Sequence, residues 1–417
     1  MAYNPPSLYS SPSAAVSVNP NLPKLQPYPF EKLRRLFAGT TPPEDLKEIK
    51  LSIGEPQHGT PAFIQETLAA NLAGLANYPT TNGSEELRSA IAQWLGRRYG
   101  IPTPDIATQV LPVNGSREAL FAFAQCIADA SAPDGLVLCP NPFYQIYEGA
   151  TYLAGLTPAF INQLPGDNFA MNFSAVPEAT WRRAQLIYVC SPGNPTGSVM
   201  NLDQWRQLFE LADRHDFVIA SDECYSEIYF DEAHPPLGAL EAARALGRDD
   251  YRRLVVFSSL SKRSNVPGLR SGFVAGDAAI LREFWLYRTY HGCAMSPAVQ
   301  VASTVAWHDE SHVRDNRRLY REKFDRVLPV LGDCLDTRLP DAGFYLWASV
   351  ARYGISDTDF ARELHGRYNV TVLPGSYLAR ESEGVNPGAG FIRIALVAGT
   401  DECIEAAQRI ADFCQTL

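Results

Sequence analysis

At 417 residues, 46% of them hydrophobic and 20% charged, the chain is long enough for at least two hydrophobic lobes that need no disulfide staples. A net charge of −10, without any block of Lys or Arg, argues against nucleic acid and anionic membrane as partners, so an anionic substrate must be met by individually placed arginines. The eight cysteines include no C-x-x-C pair, no apolar run approaches bilayer length and the start lacks a secretory pattern, so a cytoplasmic protein is expected.

Residues 1–20, rich in Ser, Pro, Ala and Asn, have no apolar period and read as a disordered arm or an expression remnant. From Asn21 prolines punctuate an extended approach, and Phe30, Leu33, Leu36 and Phe37 then recur at helical spacing. Residues 21–59 are thus expected to form an N-terminal arm and part of a smaller domain, with Ile53-Gly54-Glu55-Pro56 as a strand-end turn. Between residues 60 and 297, helical patterns alternate with the short apolar runs Val110–Val113, Gly135–Cys139, Leu186–Cys190, Phe217–Ser221, Leu254–Phe257 and Gly272–Ala275. That alternation predicts an α/β large domain with a mostly parallel, doubly wound sheet. Residues 298–417 begin with a long amphipathic helix and continue through strands at Gly343–Trp347, Val370–Leu373 and Phe391–Leu396, a smaller α+β domain. No internal repeat is present.

The stretch Leu254–Gly272 carries the first chemical signal. A buried-strand run ends abruptly in Ser258, Ser259, Ser261 and Lys262, and Pro267-Gly268 leads on to Arg270. In α/β proteins the loops leaving strand ends line the ligand site, where a desolvated lysine can attack a carbonyl to form a Schiff base. Hydroxyls and a guanidinium beside it suit a phosphate. The bland alternative is a pair of solvated charges next to a serine-rich turn. Four further segments sharpen the choice. Strand Leu186–Cys190 runs into a turn presenting Asn194. Strand Val218–Ser221 ends at Asp222, with Tyr225 just beyond, and a carboxylate in such an apolar setting needs a positive partner. Gly115 precedes Ser116 and Arg117 at a helix start that could bind an anion. Arg393 lies among apolar residues of the smaller domain.

With S-P-x-N-P-T-G, D-E-x-Y and S-x-S-K…G-x-R-x-G in that order, the chain resembles the fold-type I, pyridoxal-phosphate-dependent class I/II aminotransferases from about Asn21 to its end. The resemblance implies that Lys262 holds pyridoxal 5'-phosphate and then moves the Cα proton, while Asp222 keeps the pyridine nitrogen protonated. It implies that Tyr225 and Asn194 bond the phenolic oxygen and that Tyr144 stacks on the ring. Gly115, Ser116, Arg117, Ser259, Ser261 and Arg270 would hold the phosphate, joined by Tyr78 from a neighbouring subunit of a homodimer. Arg393 would clamp the substrate α-carboxylate, with Gly54 and Asn194 beside it. As structural alternatives, Asp222 could cap a helix, Tyr78 and Tyr225 could be packing residues, and Arg393 could sit in an ion pair.

Within the family, the arm and the Gly115–Leu120 segment look most like bacterial N-succinyldiaminopimelate aminotransferases. This implies amino transfer from glutamate to N-succinyl-2-amino-6-oxopimelate in lysine and diaminopimelate biosynthesis. Arg117, Lys32, Arg34 and Arg35 are then candidates for the distal carboxylates. Alternatives are an aspartate, alanine or aromatic aminotransferase, a cofactor-dependent β-lyase or synthase, and a non-enzymatic regulator that keeps the fold. His308 and His312 have the spacing of two metal ligands on one helical face, but Asp309 stands where zincin chemistry wants Glu. A solvated helical turn and no metal are expected there.

Overall fold

The computed structural model describes residues 18–132, 134–292 and 294–417, so the expectation of a disordered arm falls, up to residue 17, outside the described residues. In chain order the strands are β1 (Ile49–Lys50), β2 (Val110–Val113), β3 (Leu136–Asn141), β4 (Thr157–Asn162), β5 (Ala184–Cys190), β6 (Val218–Asp222), β7 (Leu254–Ser259) and β8 (Gly272–Gly276), then β9 (Tyr345–Ser349), β10 (Val370–Thr371), β11 (Leu373–Pro374) and β12 (Phe391–Ala395). Seven of them form one sheet in the order β2-β8-β7-β6-β5-β3-β4. Within it β8 runs antiparallel to both neighbours and every other pairing is parallel.

The continuous apolar runs become strands covered on both faces: every residue of β3 and β7 is buried. One core lies on each side. Trp94, Trp205, Phe217 and Trp307 belong to one, and Phe123, Tyr147, Tyr188 and Phe257 to the other. Full burial of a Phe side chain such as Phe123, Phe217 or Phe257 stabilises by about 1.5–3 kcal/mol. Local chemistry sets the helix starts. Ser84 caps Glu85–Tyr99 by accepting from the Leu87 amide, and Asn201 with Gln204 forms a capping box at Leu202–His215. Strand β4 has no counterpart among the predicted strands. It is an edge strand containing Pro158, with polar residues at both ends, so its sequence lacks a buried strand's signature.

The smaller lobe has the antiparallel sheet β11-β12-β9 and the parallel pair β1-β10, so the predicted run Val370–Leu373 divides between two sheets. Its core joins Ile49 and Leu51 to Phe324, Leu331, Ile392 and Ile410. One predicted boundary moves. The helix Pro297–His308 packs on Ala62–Ala70 and Glu85–Tyr99 and contributes Ala302, Ala306 and Trp307 to the first core, so 298–308 belong with the large sheet. The change of lobe falls within the helix Ser311–Cys334. Among the described residues no helix is long and apolar enough to cross a membrane, no cysteines are disulfide-bonded and no cluster of three metal-ligating residues occurs.

Candidate active site

A cavity of about 450 Å3 opens between the carboxyl ends of the large sheet's strands, the N-terminal arm and the smaller lobe. Strand β7 ends at Ser259, and the single helical turn Leu260–Arg263 then aims Lys262 into this cavity. Its Nζ donates to the Gly54 carbonyl at 2.7 Å. Burial, helped by the nearby charges of Arg393 and Arg117, lowers the lysine pKa to about 8. Gly54 is required on steric grounds, since a Cβ there would run into the Tyr345 hydroxyl.

Asp222, the last residue of β6, is buried on the same floor. Burial raises its pKa, although its carboxylate accepts from the Tyr147 hydroxyl at 2.7 Å and the Cys224 amide at 3.3 Å. Among the described residues no lysine or arginine pairs with it, so it can receive a cationic group from a ligand. The Tyr225 hydroxyl lies 2.9 Å from that of Tyr345. This buried tyrosine packs in a small cluster with Phe344 and Tyr345 and also lines the cavity.

At the next wall the helix Ser116–Ile127 starts at Gly115, with φ +93° and no side-chain cap, so its first amides lack a side-chain acceptor. Ser116, Ser259, Ser261 and Arg270 line the same end, and the Cys224 thiol donates to Ser116 Oγ at 3.0 Å. Arg270 contacts Glu118 at 2.6 Å, and a Cβ at Gly115 would meet the same guanidinium. These donors fit an anion with several acceptor oxygens.

On the opposite side Arg393 projects from β12, buried to 4% exposure. It donates to Asn194 Oδ1 at 2.9 Å and to the Ser52 carbonyl at 2.7 Å, and it lies 4.4 Å above the Tyr345 ring. Among the described residues no carboxylate pairs with it, which removes the structural ion pair as an account of its burial.

A match to the family described as aminotransferase class I and II extends over residues 47–410. The chain belongs to this family. The class I and II aminotransferases depend on pyridoxal phosphate, and the cavity's amine, buried carboxylate and anion-binding end fit the aldehyde, ring nitrogen and phosphate of that group. Over 402 residues the chain is 33% identical to the LL-diaminopimelate aminotransferase of Nitratidesulfovibrio vulgaris strain DP4, covering 95% of this chain and 99% of the relative. Among solved structures, an aminotransferase from Neisseria meningitidis Z2491 has a TM-score of 0.92 at 52% identity, covering 95% of this chain and all of the other. A probable N-succinyldiaminopimelate aminotransferase from Thermus thermophilus has a TM-score of 0.80 at 27% identity, covering 92% and 98%.

Several expectations for this aminotransferase need revision. Tyr144 keeps its expected place in the cavity lining, and its hydroxyl accepts from Arg117 Nε at 2.6 Å. The Arg117 guanidinium also lies 5.9 Å from the Tyr28 ring centre, placing it where the arm meets the cavity. Lys32, Arg34 and Arg35 lie elsewhere: Arg34 and Arg35 pair with Glu31, and Lys32 donates to Gln26 at 3.3 Å. Tyr78 is fully exposed and lines no part of its own chain's cavity, so it is not a core residue. His308 ends one helix and His312 lies in the next, so they share no helical face. Nor is His312 solvated, because its side chain is only 9% exposed and both ring nitrogens are engaged. Sequence reasoning missed Tyr147, Cys224, Tyr345, Tyr28 and Glu55. Cys224 stands inside the D-E-x-Y motif, whereas Tyr147 stands three residues after Tyr144 and meets its ring edge-on at 5.8 Å, just behind the cavity wall.

Proposed function

We propose that the chain transfers an amino group between glutamate and a substrate with a diaminopimelate skeleton. The observation that carries this reading is one cavity lined by Lys262 and Asp222 on its floor and by the unpaired Arg393 opposite them, with Arg117 and Glu55 at the mouth. Bound there, pyridoxal phosphate supplies a carbonyl for the amino group and an electron-withdrawing ring. Lys262, with its pKa near 8, is poised to take a proton from the substrate α-carbon and return one at neutral to mildly alkaline pH. Asp222 holds positive charge at the ring nitrogen, and Tyr147 fixes the carboxylate's orientation. Asn194 and Tyr225 would hold the cofactor's ring oxygen, and Tyr144 would pack beside the ring. The Ser116 helix start, Ser259, Ser261 and Arg270 would hold the phosphate, next to the Arg270–Glu118 pair. Arg393 orients the α-carboxylate in both half-reactions.

At the mouth, the free amino-acid end of diaminopimelate carries an ammonium and a carboxylate, matching Glu55 and Arg117. The LL-diaminopimelate aminotransferases among the relatives support the same choice. The N-succinylated compound is a second reading, favoured by the Thermus relative and by the cationic Arg117 alone. The reading also includes a homodimer. Leu72, Leu75 and Tyr78 are exposed at 51%, 64% and 104% on one short segment, as a face awaiting a second copy would be.

A comparison of kcat/KM for LL-diaminopimelate, its N-succinyl derivative, aspartate, alanine and phenylalanine, each with 2-oxoglutarate, tests the substrate. One of the first two should lead by about tenfold or more. Should a simple amino acid lead, the diaminopimelate assignment fails while the aminotransferase remains. Sedimentation of the active species tests the dimer, which full activity at monomer mass would refute.

A further inference from the structure

Behind the cavity, four successive residues starting at Lys262 are bonded to the junction between the helices Pro297–His308 and Ser311–Cys334. The Lys262 carbonyl accepts from Asn316 Nδ2 at 3.3 Å. Arg263 donates to the Ala306 carbonyl at 2.7 Å and to Glu310 at 2.5 Å. Ser264 Oγ lies 2.8 Å from His312 Nε2, and Asn265 Nδ2 donates to Asn316 Oδ1 at 3.0 Å. His58 Nδ1 reaches the same Asn316 oxygen at 2.8 Å, so the junction also grips the segment that carries Gly54.

The centre of this brace is the run Asp309, His312, Ser264. His312 Nδ1 is 2.5 Å from Asp309 Oδ1, and because a carboxylate only accepts, the proton sits on Nδ1. Nε2 is then free to accept the Ser264 hydroxyl. Burial holds the His312 pKa below its ordinary value, which favours this neutral form. The order resembles an acid-base relay to a nucleophilic serine, yet Ser264 has zero exposure and does not line the cavity, so no substrate carbon can reach it.

We propose that His312, oriented by Asp309, and Asn316 are positioning residues for Lys262: they hold the Leu260–Arg263 turn from behind, so that the lysine amine stays beside Gly54 on the cavity floor. The inference rests on Lys262 as the cofactor-binding amine but not on which amino acid is the substrate. It assigns a role to the W-H-D-E-S-H segment that neither metal binding nor a solvated helical turn explains. A reacting group displaced by about 1 Å can cost about a hundredfold in rate while leaving substrate affinity largely intact.

The experiment compares His312→Asn with His312→Gln in the holoenzyme. Asn can retain only the bond to Asp309, whereas the Gln side chain reaches Ser264 from the position of Nε2. The Asn variant should lose roughly tenfold to a hundredfold in kcat, with KM changed less than about twofold. The pH midpoint of the visible band of bound pyridoxal phosphate should move by about half a unit or more. The Gln variant should recover most of both. The proposal is overturned if kcat and the band midpoint stay at wild-type values in both variants while only the melting temperature falls. If neither variant folds, Ser264→Ala removes the same bond, along with the 3.3 Å bond from Arg263 Nη1, and an unmoved midpoint and kcat there overturn it equally. Borohydride labelling distinguishes the two levels of failure: a label on another lysine refutes the role of Lys262 itself, whereas a label on Lys262 with unmoved spectra refutes only the brace.

Discussion

The two ends of the cavity are built differently. On the floor Lys262, Asp222, Ser259 and Ser261 sit at or just past the ends of two strands, β7 buried throughout and β6 buried at all but its first residue, and Asp222 is itself buried. At the mouth, Tyr28 and Phe30 come from the arm, Glu55 from the turn after β1 and Arg117 from a helix start, and Glu55 and Arg117 are exposed. On the proposed function, the difference separates chemistry from selectivity. Burial shifts pKa values and fixes geometry on the floor, whereas an exposed rim can change its substrate without disturbing the lysine.

The largest expected effect tests the floor. Lys262→Ala should abolish the visible band of bound cofactor and reduce kcat/KM by about a thousandfold or more, read by absorbance and by a glutamate half-reaction. In the wild-type protein freed of cofactor, the rate of recombination with pyridoxal phosphate should rise through about pH 8, because burial lowers the lysine from its usual 10.5. A midpoint near 10.5 would mean that the floor does not desolvate its amine.

Arg393 links the two ends. Arg393→Ala should raise KM for both the amino donor and the oxo-acid acceptor by roughly tenfold to a hundredfold in steady-state kinetics, since a charge-assisted pair is lost. A rise for one substrate alone would confine the clamp to one half-reaction.

The sharpest test of the comparison is at the rim. Arg117→Ala should lower kcat/KM for the long dicarboxylic substrate by about tenfold and that for alanine by less than about threefold. Equal losses on both would return Arg117 to the cofactor end, acting there through its bond to Tyr144.

The smallest effect lies behind the floor. Glu223, next to Asp222 but turned away from the cavity, accepts from Tyr99, Ser221 and the Ala239 amide, and burial raises its pKa to about 7. The folded chain therefore holds this proton more tightly than the unfolded chain, whose carboxyl titrates near 4.5. Its contribution to stability is complete below about pH 4.5 and is lost as pH rises through about 7. Relative to wild type, Glu223→Gln should gain a few degrees in Tm between about pH 5 and pH 8. A difference that stays constant with pH would place the carboxyl's titration outside that window.

Reading the sequence recovered the floor better than the rim, for a local reason. An apolar run that stops at Asp222 or at Ser259-x-Ser261-Lys262 states both that a strand is buried and where its polar end emerges, all within about ten residues. Edge strand β4, with its proline and polar ends, carried no such statement, and the boundary at 298 was misplaced because amphipathicity shows that a helix packs but not against which core. The contacts recovered only from the fold span long separations. Arg393 bonds Asn194 over 199 positions and Ser52 over 341, Tyr225 meets Tyr345 over 120, and Tyr147 reaches Asp222 over 75.

By itself, then, the sequence determined that the chain has an α/β sheet, which strand ends carry polar groups and which lysine leaves a buried strand, because periodicity and polarity are properties of neighbours along the chain. Only the tertiary structure decided that Gly54 lies under Tyr345, that Arg117 rather than Lys32, Arg34 or Arg35 reaches the cavity, and that His312 stands behind Lys262. Those outcomes depend on how two lobes and an arm pack around one cavity, and the contacts that set them join residues whose separation in sequence encodes no distance in space.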